Sequence, residues 1–343
     1  MRSRFMLFLN HLLETDDFRN LFSDLLRSYT GERRSIGIKN VQNIPSPYEN
    51  PVENDDKILT RNRSDIIFIT GRFRSGSTLL WNIFRSIPTV TSYYEPLNER
   101  QWFDSAHRGD NVDATHLNVS DYWVEYNGLS ALSKLYSEKW TCRRLYMNEH
   151  DCDPSMQEYI ETMIDASHGR PVLQFNRVDF RLPWLRHRFP NSKIVHIYRH
   201  PRDQWCSSLV DIKRFTRNDK LADFMPHDKF YLMTWAKDLK HHFPFLTLDG
   251  NSHPYELFYQ IWKLSYLFGK RYSDMCIKFE DLITNPGKNL DDLFHLLSFE
   301  DCRLDNVIGL VKKVRTGKWI EYADHDWFSR IESRVNDTLG KFL

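Results

Sequence analysis

The sequence predicts an α/β protein in which helices flank a central parallel β-sheet. Four short runs have the length and the apolar, β-branched content of strands, and helical sequence follows each of them. These runs are residues 65–70, 171–175, 193–198 and 275–279. Strands that are apolar nearly throughout and alternate with helices are typical of parallel sheets covered on both faces. Open sheets of this kind bind ligands at the carboxyl ends of their strands.

The composition is that of a folded globular chain. Its 343 residues are 41% hydrophobic and 27% charged, which allows a sizeable core and excludes disordered, collagenous and coiled-coil proteins. This length corresponds to about two domains, or to one large α/β domain. The net charge of +1 provides no global field for nucleic acid or an anionic membrane, so we expect no nucleic-acid partner.

The domain organisation follows from changes in pattern along the chain. Residues 1–64 are interpreted as an N-terminal amphipathic helix and a linker, and residues 65–343 as the main domain. Residues 97–150 have weak periodicity and are expected to form a cap inserted over the site. The segments 220–245 and 253–272 are predicted to be helical. The oligomeric state stays open, a homodimer included.

Membrane and redox signals are weak. The apolar stretch at the N-terminus is too short to span a membrane and has no cleavage site, so we expect a soluble, cytoplasmic protein. Five scattered cysteines without a CxxC pair favour a reducing compartment and indicate no zinc site. A single bridge between Cys142 and Cys152 stays open.

The first motif follows the first predicted strand and precedes a helix. It reads Gly71-Arg-Phe-Arg-Ser-Gly-Ser-Thr78 and has the G-x-x-x-x-G spacing of a phosphate-binding loop. Backbone amides of such a loop bind anions at a helix N-terminus. Ser77 replaces the lysine that nucleotide triphosphatases place after the second glycine, which disfavours ATP and favours a ligand with one phosphate that carries a transferable group. An ordinary Gly-Ser turn is the alternative.

The second motif is Arg199-His-Pro-Arg-Asp-Gln-Trp-Cys-Ser-Ser208, directly after the strand 193–198. Pro201 begins the next helix, and Ser207 lies about two turns beyond Arg199. A guanidinium and a hydroxyl in this arrangement can share one phosphate. An exposed arginine and a serine on a buried face are the alternative reading.

The positive charge of the chain is concentrated around this second motif. Residues 170–217 contain eleven Lys or Arg against three Asp, which gives a local charge of +8 and indicates an anionic ligand. A nucleic-acid surface is the rival interpretation, but no nucleic-acid-binding motif accompanies the cluster.

Together, the two motifs resemble the sulfotransferases that use 3′-phosphoadenosine 5′-phosphosulfate (PAPS). The run Arg74 to Thr78 resembles the 5′-phosphosulfate loop of that family, and the pair Arg199 and Ser207 resembles its 3′-phosphate site. The block Lys278-Phe-Glu-Asp-Leu-Ile-Thr-Asn-Pro286 is similar to a later strand-and-helix block. The resemblance implies a P-loop-like fold and a donor site made by residues Arg72, Arg74, Ser75, Gly76, Ser77, Thr78, Arg199 and Ser207.

A later segment matches the family less closely. Arg315-Thr-Gly-Lys-Trp319 resembles the segment that closes over the donor, which makes Arg315 and Gly317 further candidates for phosphate contact. A helix that ends at Gly317 is equally consistent with this segment. The tryptophan that cytosolic members stack on adenine is Leu79 here, so the adenine-stacking residue stays unassigned.

The candidate general base is Glu95, in Tyr94-Glu95-Pro96. Cytosolic members use a histidine, but residues 175–179 contain none, and the position of Glu95 resembles the glutamate of tyrosylprotein and carbohydrate sulfotransferases. Asp179 is the reserve base, and Arg177 is a candidate contact to acceptor or donor. The alternative for Glu95 is the plain end of a strand. Arg74 is expected to stabilise the charge that grows on the bridging oxygen.

The sequence therefore predicts a sulfotransferase that takes PAPS as donor, requires no metal and acts on a hydroxyl of a small molecule or glycan, with a carbohydrate or glycolipid favoured. Two alternatives stay open. One is a P-loop kinase or nucleotide-binding protein, which the absent loop lysine disfavours. The other is a non-catalytic protein that binds the donor.

Overall fold

The fold is seen in a computed structural model that describes residues 44–48, 63–209, 211–299 and 307–342. The predicted N-terminal helix and most of the predicted linker in residues 1–64 lie outside the described residues.

Five parallel strands, four of which the sequence predicts, form the central sheet, and Val90–Tyr94 is the additional one. They are β1 (Ile67–Thr70), β2 (Val90–Tyr94), β3 (Arg170–Phe175), β4 (Lys193–Tyr198) and β5 (Met275–Lys278). Their order across the sheet is β2-β3-β1-β4-β5, and every neighbouring pair is parallel. Because β1 lies between β3 and β4, the loops after these three strands meet at one edge.

Nine α-helices are described around the sheet. In chain order they are α1 (Ser77–Arg85), α2 (Pro154–Ala166), α3 (Leu182–Arg188), α4 (Pro201–Ser208), α5 (Leu232–Leu239), α6 (Pro254–Tyr272), α7 (Phe279–Thr284), α8 (Pro286–Leu296) and α9 (His325–Phe342).

Both faces of the sheet are covered. On one face, fully buried Ile67 and Val195 join Leu80 of α1 and Leu290 of α8 in a single apolar cluster. On the other face, α6 passes so close to β4 that a Cβ at Gly269 would lie 2.3 Å from the ring of His196. Strands enclosed in this way read as continuous apolar runs, which is why they could be identified from the sequence.

The predicted helix over 220–245 is wrong in extent. Only α5, Leu232–Leu239, is α-helical there, preceded by the short 3-10 helices Leu221–Asp223 and Met225–His227. Pro226 supplies no backbone N–H, and Tyr231 has φ of 60°, a left-handed conformation that an α-helix cannot include. The predicted helix over 253–272 is confirmed as α6.

Residues 97–150, called the cap segment below, contain no α-helix and no strand. Three 3-10 helices, Val124–Tyr126, Ser130–Lys134 and Glu138–Thr141, interrupt an irregular path. Arg85 at the end of α1 fixes part of it, donating to Asp121 and Glu125 at 2.6 Å each. The cap segment is therefore attached to the helix that follows the phosphate-binding loop.

Candidate active site

A cleft of about 730 Å³ lies where the loops after β1, β2, β3 and β4 meet. The cap segment supplies part of its wall, including Asp113 and His116. Seven of the predicted site residues line it: Arg74, Gly76, Ser77, Thr78, Glu95, Arg199 and Ser207. The sequence motifs thus converge on one cavity at the carboxyl edge of the sheet.

The loop after β1 makes a tight turn into α1. The N–H of Ser75 donates to the carbonyl of Arg72 at 3.1 Å, and the carbonyl of Gly76 accepts the first helical bonds. Gly76 has φ of 98°, and a Cβ there would lie 2.2 Å from the Phe279 ring. Glycine is required at this position by both backbone conformation and space. The turn presents the N-terminus of α1 to the cleft.

Arg74 connects three parts of the site. Its Nε donates to Ser207 Oγ of α4 at 3.1 Å. Its Nη1 donates to Asp113 Oδ2 at 3.3 Å and to Thr115 Oγ1 at 3.2 Å, both in the cap segment. The guanidinium is therefore held by groups that an incoming anion can replace.

Arg199 follows β4 and is only 8% exposed. Its guanidinium carbon lies 5.0 Å from the centroid of the Phe279 ring, and its Nε is 4.0 Å from Glu280 Oε1. Burial lowers its pKa, although Asp203 and Glu280 act in the opposite sense. Its Nε is buried and has no hydrogen-bond partner among the described residues. An unused donor on a buried cation suits an anionic ligand.

Glu95 ends β2 and is 5% exposed. Asn176 donates to its Oε1, while Arg177 and Asn98 donate to its Oε2 at 2.9 and 2.6 Å. A carboxylate offers about four lone-pair positions, so these three donors leave capacity for one more. Ser77 donates to Asn176 at 3.0 Å, which links the loop after β1 to this carboxylate.

Arg177 pairs with two carboxylates through its two terminal nitrogens. Besides Glu95, it donates to Glu99 Oε2 at 2.5 Å, and Glu99 also accepts from the Tyr231 hydroxyl at 2.7 Å. Burial acts to raise the pKa of Glu99, but Arg177 and Tyr231 outweigh it, and the pKa is lowered. Arg177 therefore orients both carboxylates at the cleft wall.

Asp179, the reserve base, points away from the cleft. It is 1% exposed and accepts hydrogen bonds from the hydroxyls of Thr70 and Ser265. The geometry thus favours Glu95 over Asp179 as the group that meets a ligand.

Four predicted donor residues lie outside the cleft lining. The Arg72 guanidinium stacks 4.4 Å from the centroid of Trp235, and burial lowers its pKa to about 10. Ser75 is wholly buried. Arg315 is exposed and pairs with Glu321, and the N–H of Gly317 donates to Asp203 Oδ2 at 2.8 Å. No helix ends at Gly317; a 3-10 helix, Lys318–Glu321, begins after it.

Some residues of the cleft carry no signal in the sequence. Asp113 and His116 come from the irregular cap segment, where no local pattern points to them. Asn176 lies in the stretch 175–179, which has no histidine, and its place directly after β3 is the signal that could have identified it.

The described part of the chain contains neither a cluster of metal ligands nor a helix that could span a membrane. Over residues 44–48, 63–209, 211–299 and 307–342, no three His, Cys, Asp or Glu side chains are grouped as metal ligands would be. Over the same residues, every helix is too short or too polar to cross a bilayer. Cys142 is a free thiol, so the Cys142–Cys152 bridge does not form.

Three solved structures illustrate what the chain is similar to. The sulfotransferase domain of the Synechococcus PCC 7002 olefin synthase is 17% identical, with 85% of this chain and 90% of that chain covered and a TM-score of 0.36. Sulfotransferase STF9 from Mycobacterium avium is 12% identical, with 82% and 78% covered and a TM-score of 0.42. Retinol dehydratase in complex with androsterone and inactive cofactor PAP is 13% identical, with 82% of each chain covered and a TM-score of 0.31.

Family membership rests on the sequence match. No curated protein gives a significant match to the chain. The family model described as "Sulfotransferase family" matches residues 65–301, which include both motifs, Glu95 and all five strands. Because this match extends over more than half of the chain, the protein belongs to the sulfotransferase family.

Proposed function

We propose that this protein transfers the sulfuryl group of PAPS to a hydroxyl of a carbohydrate or glycolipid. The observation that carries the proposal is the convergence of Arg74, Arg199 and Ser207 beside the N-terminus of α1, with Glu95 on the same cleft. Two cations and a helix N-terminus suit a ligand with two separated phosphates. A carboxylate with spare acceptor capacity suits proton removal from an attacking hydroxyl.

The donor site fits a bisphosphorylated ligand. The guanidinium of Arg199, which lines the cleft, supplies a charge-assisted hydrogen bond to the 3′-phosphate, and Arg74 and Thr78 face the 5′-phosphosulfate. Gly76 lets the backbone approach that group closely. Among the four predicted residues outside the lining, Arg72 and Ser75 stabilise the turn of the loop, through the hydrogen bond from the Ser75 N–H to the Arg72 carbonyl.

In the reaction, Glu95 Oε1 accepts the proton of the acceptor hydroxyl. Bound PAPS supplies the sulfuryl group, whose S–O bond to the phosphate breaks, with its electron pair kept by the phosphate oxygen, as the acceptor oxygen bonds to sulfur. Arg74 stabilises the negative charge that grows on that phosphate oxygen. Arg177 keeps Glu95 oriented throughout.

The acceptor side of the cleft supports a polyhydroxylated substrate. Asn98, Glu99 and Arg100 provide hydrogen-bonding groups next to Glu95, and Phe73 and Phe230 provide ring faces, with their centroids 5.3 Å apart. A pocket with a few polar groups among aromatic rings orients a small ligand. We propose a cytoplasmic location from the cysteine usage, in keeping with the free thiols of Cys142, Cys206 and Cys276.

Calorimetric titration tests the donor assignment. The purified chain is titrated with 3′,5′-bisphosphoadenosine (PAP), with 5′-AMP and with ATP plus magnesium. Tight binding of PAP with much weaker binding of 5′-AMP supports two phosphate sites. Tight binding of ATP with magnesium and none of PAP would overturn the proposal in favour of a kinase. Tight PAP binding without transfer to any acceptor would favour a non-catalytic donor-binding protein.

Two arginine variants sharpen the titration. Arg199→Ala should weaken PAP binding by about 1.5–3 kcal/mol, the contribution of a hydrogen bond to a charged group, or roughly 10- to 150-fold. Arg217→Ala is the matched control, because Arg217 belongs to the same basic stretch but is 49% exposed and pairs with Asp324. Equal affinities of the two variants would refute the 3′-phosphate assignment.

A further inference from the structure

His116 of the cap segment reaches the N-terminus of α1. Its Nε2 lies 3.4 Å from Thr78 Oγ1, and its Nδ1 lies 2.5 Å from the Tyr122 hydroxyl. The ring also packs against Tyr94, with the two centroids 6.3 Å apart. His116 therefore joins the cap to the first turn of the helix that faces the donor site.

The hydrogen bonds of Tyr122 determine where His116 carries its proton. The Tyr122 oxygen accepts from the N–H of Asp113 at 3.0 Å, so its own proton needs an acceptor. Burial raises the pKa of Tyr122 to about 12, so the phenol keeps that proton at neutral pH. Nδ1 of His116 is the acceptor within reach, and it must therefore be unprotonated.

His116 itself is neutral at pH 7. Burial lowers its pKa and nearby Arg74 adds to that effect, while Asp113 and Glu95 oppose it. A neutral imidazole has one ring proton, and with Nδ1 accepting from Tyr122, that proton is on Nε2. The edge that faces Thr78 is thus a hydrogen-bond donor rather than a base.

The hydroxyl of Thr78 is polarised as a result. Its oxygen has two acceptor positions and two neighbours, His116 Nε2 and the Tyr94 hydroxyl at 3.2 Å. Burial raises the pKa of Tyr94 well above its ordinary value, and neighbouring Glu95 adds to that effect, so the phenol keeps its proton. With Nε2 donating to the Thr78 oxygen, the Thr78 proton points away from His116, and a ligand beside Thr78 in the cleft can accept it.

We propose that His116 is a positioning residue that acts through Thr78, aiming the threonine hydroxyl at the phosphosulfate end of the donor. The inference rests on the proposed function, because it takes the ligand beside Thr78 to be PAPS. It assigns to the irregular cap segment a direct part in donor recognition.

The test compares affinities for intact PAPS across variants by calorimetry. His116→Ala should weaken binding about 2- to 12-fold, the range of one neutral hydrogen bond. His116→Gln should recover most of this loss, because its amide N–H can replace Nε2–H. His107→Ala, an exposed histidine of the same cap segment, should bind as the wild type does. Thermal denaturation of each variant checks that it is folded.

A double-mutant cycle separates positioning from other roles. In a Thr78→Val background, His116→Ala should cause no further loss, because the residue through which it acts is already gone. Additive losses would overturn the proposal. A His116→Gln variant that binds PAPS as weakly as His116→Ala would also overturn it, and would indicate that His116 acts as a base. Failure of the wild type itself to bind PAP or PAPS would instead refute the proposed function.

Discussion

Asp113 of the cap segment forms an ion pair with Arg74, the cation that we expect the donor to bind. Its Oδ2 lies 3.3 Å from Arg74 Nη1, so a phosphosulfate that binds Arg74 must displace this carboxylate or share the guanidinium with it. We predict that Asp113→Asn strengthens PAPS binding. The substitution removes the competing charge and keeps the size of the side chain.

The magnitude follows from the exposure of the pair. Asp113 is 45% exposed and Arg74 19%, which makes this an ion pair near solvent. Such pairs contribute about 0.2–1 kcal/mol, so losing the competitor should tighten PAPS binding by about 1.4- to 5-fold. The cap turn should persist, because Asn retains the Oδ1 that accepts from the N–H and hydroxyl of Thr115 at 2.8 and 2.7 Å.

Calorimetry at low and high salt checks this prediction. The gain in affinity should shrink as salt screens the charge. Asp110→Asn is the matched control, since Asp110 lies in the same segment, is 90% exposed and pairs at 3.7 Å with Arg108 instead. An unchanged affinity would show that Asp113 does not compete, and a weaker one that it holds Arg74 in place for the donor.

Three further predictions concern the loop and the base. Glu95→Gln should abolish turnover and leave PAP affinity near that of the wild type. In thermal denaturation, the same variant should lose about 1.5–3 kcal/mol of stability, because Arg177 loses one charged partner but keeps Glu99. Full activity of this variant would reject Glu95 as base. Arg74→Ala should lower kcat more than PAPS affinity, and a loss of affinity without a loss of kcat would contradict its role in the transition state. Gly76→Ala should weaken PAP binding about tenfold. Alanine in the left-handed backbone conformation costs roughly 1–2 kcal/mol, and its Cβ would clash with Phe279. A variant with wild-type affinity would show that the loop adapts.

The strands and the loop after β1 could be predicted because their signals are local. An enclosed parallel strand must be apolar on both sides, and a tight strand-to-helix turn needs a glycine such as Gly76. The extent of the helix over 220–245 could not be predicted in the same way. The left-handed conformation of Tyr231 is set by packing around Phe73 and Glu99, which lie more than a hundred residues away in sequence.

The residues of the candidate site also fall into two groups, those with a local sequence signal and those placed by long-range contacts. Arg74, Glu95 and Arg199 each follow a strand, so the topology of the sheet alone brings them together. Asp113 and His116 belong to a segment without regular structure, and only long-range hydrogen bonds to Arg74 and Thr78 place them in the cleft. No periodicity encodes such contacts.

Arg74 and Arg199, two of the cations that line the cleft, differ in how they are held and in the end of the donor that we propose each one meets. Arg199 is 8% exposed and lies over the ring of Phe279, so we expect it to keep this position when the donor binds. Arg74 is held by Ser207, Asp113 and Thr115, partners that an anion can replace. A cation beside the bridging oxygen, where negative charge develops, interacts more strongly with the transition state and lowers the barrier, whereas a cation on the 3′-phosphate, whose charge does not change, lowers only the dissociation constant. Because we propose Arg74 for the first position and Arg199 for the second, catalysis and binding should respond separately to the two arginines.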